Sequence, residues 1–151
     1  TNILSAYAFK QDGRFIYLSS EAVYGRSYSS DIHETEPASA KSFQAMALLQ
    51  GENICRSYRD TRGMDTRILR FDHMYGIPRK GKTDRNPCFW MTLEMLKTNQ
   101  IAANSRTAFS MIYQDDAVAF AYRAMMEESP KYPLYHITSG EAITHRWIWR
   151  S

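Results

Sequence analysis

Apolar and polar positions along this chain fall into a succession of helical and extended patterns. TNILSAYAFKQ (1–11) sets Ile3, Leu4, Tyr7 and Phe9 at helical spacing, and Asp12-Gly13 is a stop signal. FIYLS (15–19) is too apolar to alternate, the pattern of a strand covered on both faces in a parallel sheet flanked by helices. A polar loop runs from Arg26 to about Pro37. SAKSFQAMALLQGENICRSYRDTRG (39–63) predicts a long helix with Phe43, Met46, Ala47, Leu49, Ile54 and Tyr58 on its buried side and Gly63 as its stop. TRILRF (66–71) is the next strand, and strand, crossover helix, strand is the unit that builds a parallel sheet.

Beyond Phe71 the pattern loosens. MYGIPRKGKTDRNP (74–87) reads as a loop, CFWMTLEMLKTN (88–99) as a short helix and IAAN (101–104) as a short strand. SMIYQDD leads into the helix DDAVAFAYRAMMEE, whose Asp115 and Asp116 sit at the end that favours negative charge. Pro130 and Pro133 close that helix, and LYHITSG (134–140) is the final strand. The first helix lacks a start signal, and the chain ends on Trp147, Ile148 and Trp149 without a cap, so the expectation is a piece of something longer.

Composition narrows the class. Hydrophobic residues make up 44% and charged residues 23% of 151, the mix of a soluble globular domain. A net charge of +3 spread along the chain does not argue for nucleic acid. No apolar run approaches the roughly 20 residues of a membrane span. Cys55 and Cys88 have neither CxxC nor metal-ligand spacing and read as reduced thiols of a cytoplasmic protein.

Candidate chemistry begins at Ser19 and Ser20, because parallel sheets place ligands at the carboxyl ends of their strands. The GxSxG elbow of a hydrolase is absent. Asp115 and Asp116 point apart on a helix and read as helix-start residues, so no metal is expected. The basic loop PRKGKTDR (78–85) would suit a diphosphate. The seven glycines nowhere form GxGxxG, so these residues supply no pyrophosphate loop of that kind.

SSEAVYG, a helix carrying GE, RILRFDHMYGIP, IYQDDAVAFAYRAM and YHITSG follow one another over about residues 1–140. This ordered series resembles the extended short-chain dehydrogenase/reductases, the NAD-dependent epimerase/dehydratase family acting mainly on nucleotide sugars. The resemblance implies an α/β fold: a partial Rossmann-like parallel sheet in 1–76, then elements of a small substrate-binding lobe and a returning strand and helix in 77–151. It implies a nucleotide-sugar-like ligand, NAD or NADP in the full-length family, and a homodimer paired through the helices at 1–11 and 41–63.

In that family a tyrosine with its pKa lowered by a lysine exchanges a proton with a sugar hydroxyl while hydride moves to or from the nicotinamide, and a serine bonds the same oxygen. The resemblance places that catalytic serine at Ser20. Counted back from Gly51-Glu52, the tyrosine and lysine positions are Gln44 and Leu48. An amide does not ionise near neutral pH and an aliphatic chain carries no cation. Tyr24 is then a structural or pocket-wall residue. Phe71 would wall the cofactor pocket, His73 stands where the substrate-contacting asparagine is expected, and Arg79 and Arg106 would bind substrate phosphate. Two functions fit these residues: a fragment or degenerate member of the enzyme family that is silent as an isolated chain, or a non-catalytic nucleotide-sugar-binding or interaction module on the same scaffold.

Overall fold

A computed structural model describes residues 2–7, 13–25, 32–76, 96–98 and 108–144. It opens with helix α1 (Asn2–Tyr7), then strand β1 (Arg14–Ser20) and a short 3-10 turn (Glu21–Tyr24). Helix α2 (Phe43–Arg62) crosses over to β2 (Asp65–Phe71), which is followed by β3 (His73–Tyr75). Then come β4 (Ala108–Tyr113), helix α3 (Gln114–Met126), β5 (Leu134–Ile137) and β6 (Ala142–Thr144).

The local signals set the boundaries of α2. The Ser42 hydroxyl accepts from the Ala45 N–H at 3.1 Å, satisfying one of the amides that a helix start leaves unpaired. At the other end Gly63 takes a left-handed conformation (φ 65°) and its N–H donates to the Arg59 carbonyl. Asp115 and Asp116 lie in the first turn of α3, where the helix dipole favours them.

Strands β1, β2 and β5 form one parallel sheet in that order. Their register brings Ser20, Phe71 and Ile137 level at the carboxyl edge. Central β2 is covered on both faces. Thr66, Ile68 and Arg70 face α2: Ile68 packs with Leu4 of α1 and Cys55 of α2, and the Thr66 hydroxyl donates to the Cys55 carbonyl at 3.0 Å. Leu69 and Phe71 pack on the opposite face with Ile112, Ala117 and Ile137. Arg14 and Arg67 reach the Met125 and Ala124 carbonyls at the end of α3 and also bind Asp65, tying that helix to the sheet. Burial pushes the Asp65 carboxyl up, but the two guanidiniums outweigh it and hold the acid below its ordinary range.

Several expected details change. The full covering predicted for β1 is only partial: Ser19 is buried under α2 and Ile16 packs against the core on the other face, whereas Phe15 and Tyr17 are half-buried and Leu18 is 59% exposed on an edge strand. Of the predicted buried side of α2, Ile54 and Tyr58 pack against the core and Leu49 is half-buried, but Phe43, Met46 and Ala47 are exposed, and the fully buried positions are Ala45, Glu52 and Cys55. Small and polar side chains fill this seam because the helix lies close: a Cβ on Gly51 would overlap the Tyr17 phenol. Met74 and Tyr75, expected in a loop, belong to β3, which pairs parallel with β4. The strand at Leu134–Ile137 is not the last, since β6 returns antiparallel to β4. The elements expected at 8–12 and 101–104 lie outside the described residues, as does all but 96–98 of the expected helix at 88–99.

Candidate functional site

At the carboxyl edge of the sheet, adjacent serines of β1 serve opposite purposes because successive side chains of a strand point to opposite faces. Ser19 turns under α2 and its hydroxyl donates to Glu52 Oε1 at 2.7 Å. Arg70 forks onto the same carboxylate, Nε to Oε1 at 2.9 Å and Nη2 to Oε2 at 2.6 Å, and Arg56 Nη2 adds 2.9 Å to Oε2. Glu52 has no solvent exposure. Burial pushes its carboxyl up, but Arg70, Ser19 and Arg56 together overcome that and leave it below its ordinary value.

The polar layer continues sideways. The Arg70 guanidinium sits 4.5 Å from the Tyr24 ring centroid, and that ring lies 5.7 Å from His136. His136 Nε2 meets Asp72 Oδ1 at 2.7 Å. Burial raises the Tyr24 phenol above its ordinary value, so it is a poor proton carrier near neutrality. Tyr24 is a buried wall of this layer.

Ser20 faces a second constellation. It caps the 3-10 turn, its hydroxyl accepting from the Ala22 N–H at 3.2 Å and donating to Glu21 Oε2 at 2.8 Å. Gly25, in a left-handed conformation with φ 65°, ends that turn against the Ser39 carbonyl, where a Cβ has no room. Glu21 Oε1 in turn lies 3.1 Å from His73 Nδ1. The bond to Glu21 holds the His73 imidazole above its ordinary pKa, outweighing a burial contribution of opposite sign. Two of the predicted residues, Ser20 and His73, are thus joined through Glu21, which the sequence reading had passed over. Its signal was present: an acid directly after the strand-exit serine in SSEAVYG.

The remaining candidates are dispersed. Phe71 is buried at the end of β2 in the core packed against α3. Gln44 is exposed on α2, beside the seam. Leu48 is half-buried, and its carbonyl accepts from the Tyr17 hydroxyl at 3.3 Å. Arg79 and Arg106 lie outside the described residues. Gln44 carries an amide and Leu48 an aliphatic chain, and neither side chain ionises near neutral pH. Among the described residues no group of three or more His, Cys, Asp or Glu side chains is arranged to hold a metal ion, and no helix is long and apolar enough to cross a membrane.

Known proteins carry this architecture. A UDP-N-acetylglucosamine 4-epimerase from Methanobrevibacter ruminantium M1, in complex with UDP-N-acetylmuramic acid, superposes with a TM-score of 0.83 at 16% identity, over 99% of this chain and 48% of that one. A dTDP-glucose 4,6-dehydratase from Bacillus anthracis in complex with NAD gives 0.84 at 13% identity, over 98% and 47%. A UDP-glucuronic acid 4-epimerase from Bacillus cereus, with UDP-glucuronic acid and NAD, gives 0.77 at 19% identity, over 94% and 45%. The chain spans about half the length of these structures, and at such identities the likeness carries the fold: a Rossmann-like α/β sheet flanked by helices. No curated protein sequence matches. The sequence matches the NAD dependent epimerase/dehydratase family over residues 1–137, and the chain belongs to that family.

Proposed function

We propose that this chain is the carboxyl-side portion of a degenerate nucleotide-sugar epimerase or dehydratase, and that alone it does not perform the family's tyrosine-driven redox step. The observation that carries this reading is the α2 register. Gly51 packs on Tyr17 and Glu52 pairs with Arg70, which supports counting back from them to Gln44 and Leu48 as the tyrosine and lysine positions. With an amide and an aliphatic chain there, no phenolate forms beside a cation. Ser20 remains as the group for a sugar hydroxyl, with His73 beside it as a substrate contact and Arg79 and Arg106 as phosphate contacts. Phe71 closes the cofactor side from the core.

The similar structures bound to NAD and UDP-sugars support a nucleotide-sugar ligand and a nicotinamide cofactor for the full-length protein. This portion brings no GxGxxG loop, so it binds the sugar moiety and not the cofactor. Calorimetric titration of the purified chain with NAD, NADP and UDP-glucuronic acid tests the proposal: the expected result is weak sugar-nucleotide binding with no saturable NAD or NADP binding. Saturable NAD binding contradicts it. We further propose a cytoplasmic homodimer, supported by the apolar side chains that α1 and α2 present outward, Ile3, Phe43 and Met46.

A further inference from the structure

We propose that Ser20, Glu21 and His73 form a proton relay for a sugar hydroxyl, the proton-handling half of a site whose tyrosine and lysine positions hold Gln44 and Leu48. This inference rests on the reading that the strand exits meet a nucleotide sugar. A hydroxyl has one hydrogen to donate and two lone pairs. At Ser20 the hydrogen goes to Glu21 Oε2 and one lone pair takes the Ala22 N–H. The second lone pair is positioned to accept a ligand O–H.

The relay moves one proton in two short transfers. The ligand O–H bond breaks as an O–H bond forms on Ser20 Oγ, and the original Ser20 O–H bond breaks as one forms on Glu21 Oε2. His73 stays on Oε1 of the same carboxylate, 3.1 Å away, and holds its orientation toward Ser20. Nothing is oxidised or reduced, and the reverse steps return the proton. The order hydroxyl, carboxylate, imidazole also excludes a serine-hydrolase triad, in which the imidazole must touch the hydroxyl.

Ser20 is the group that touches the ligand, and His73 is a positioning residue. Among the described residues, the charged groups facing His73 include Glu21, from the 3-10 turn, and Asp72, immediately before it, which is itself bonded to His136 of β5. Both acids favour the imidazolium.

The test is a nitrogen-15 NMR titration of the imidazoles in the 151-residue chain. In the wild type His73 titrates above an ordinary histidine, and Glu21→Gln brings it down to the ordinary range. Ser20→Ala moves it further up, because the carboxylate, deprived of its hydroxyl donor, leaves more charge for the imidazole; Ser20→Thr restores the wild-type curve. A His73 curve unmoved by Ser20→Ala overturns the relay. In a parallel titration with UDP-glucose, Ser20→Ala is expected to lose roughly 5- to 10-fold in affinity, the worth of one hydrogen bond. If the wild type does not bind UDP-glucose while the imidazole coupling is present, the nucleotide-sugar reading falls and takes the sugar substrate with it, and only the Ser20–Glu21–His73 coupling stands.

Discussion

Glu52 is the side chain on which most of the buried polar layer converges. It accepts from Ser19, Arg56 and Arg70 with no access to water, so the Arg70 guanidinium depends on it for charge balance. Removing one partner of such a pair strands the other in a poorly solvating interior, at a cost of about 3–5 kcal/mol. Glu52→Gln keeps the shape and removes the charge, so urea unfolding at neutral pH should show a loss of that order. A loss below about 1 kcal/mol would mean that water reaches Arg70. The pH dependence has a definite sign. The folded carboxyl lies below its ordinary value of 4.5, so its contribution is present above 4.5 and fades as pH falls through the folded value. The His73–Glu21 pair works in the opposite sense: with the folded imidazole above its ordinary 6.5, its contribution is complete below 6.5 and fades as pH rises through the folded value. Wild-type stability should therefore fall off at both ends. Glu52→Gln should flatten the acid limb and Glu21→Gln the alkaline one, in urea titrations repeated across pH.

For the helices and strands, close approach governs more than apolar periodicity. A helical wheel of α2 selects Phe43, Met46, Ala47, Leu49, Ile54 and Tyr58 as its buried side; Ile54 and Tyr58 do pack on the core, yet the first turns stand exposed and Ala45, Glu52 and Cys55 are the fully buried positions. Gly51 explains the difference, since its missing side chain lets the helix backbone rest against Tyr17. Gly51→Ala must displace either the Tyr17 ring or α2 itself, and overpacking of this kind costs about 1–3 kcal/mol. Helix propensity works the other way by up to about 1 kcal/mol, so a net loss in urea unfolding reports the close contact and a net gain removes it. The βαβ frame, the Gly63 end of α2 and the strand-exit position of Ser20 were legible because local signals encode them, whereas the start of α2 at Ser42 lay three residues past the expected one. The two short strands β3 and β6 were not: three-residue strands carry no periodicity, and only pairing with β4 defines them. Glu52 and Glu21 escaped for a related reason. A carboxylate reads as surface in a sequence until the arginine or histidine that meets it is located in space.

At the scale of the whole molecule, the chain spans about half the length of the structures it resembles. Strand β1 lies at the edge of its sheet, and beside it Ile3, Leu4, Phe15, Tyr17, Gly51, Ile54 and Cys55 line an open apolar groove of about 490 Å³. Helix α2 presents Phe43, 92% exposed, and Met46 on its outer side. Neither contributes to the core, so nothing in the folding of one copy requires an apolar residue at either position. Burial against a second copy gives them a use. Fully burying a phenylalanine or methionine contributes about 1.5–3 kcal/mol, and an isologous dimer counts each twice. Replacing both, Phe43→Glu with Met46→Lys, should leave urea unfolding of the protomer nearly unchanged, because exposed side chains are exchanged for exposed ones. The same double variant should convert a dimer to a monomer in light scattering at micromolar concentration. A wild-type chain that already scatters as a monomer, at a concentration well above micromolar, removes the dimer. It would leave those two side chains to a partner other than a second copy, with the groove beside β1 as a separate surface and the strand-exit chemistry untouched.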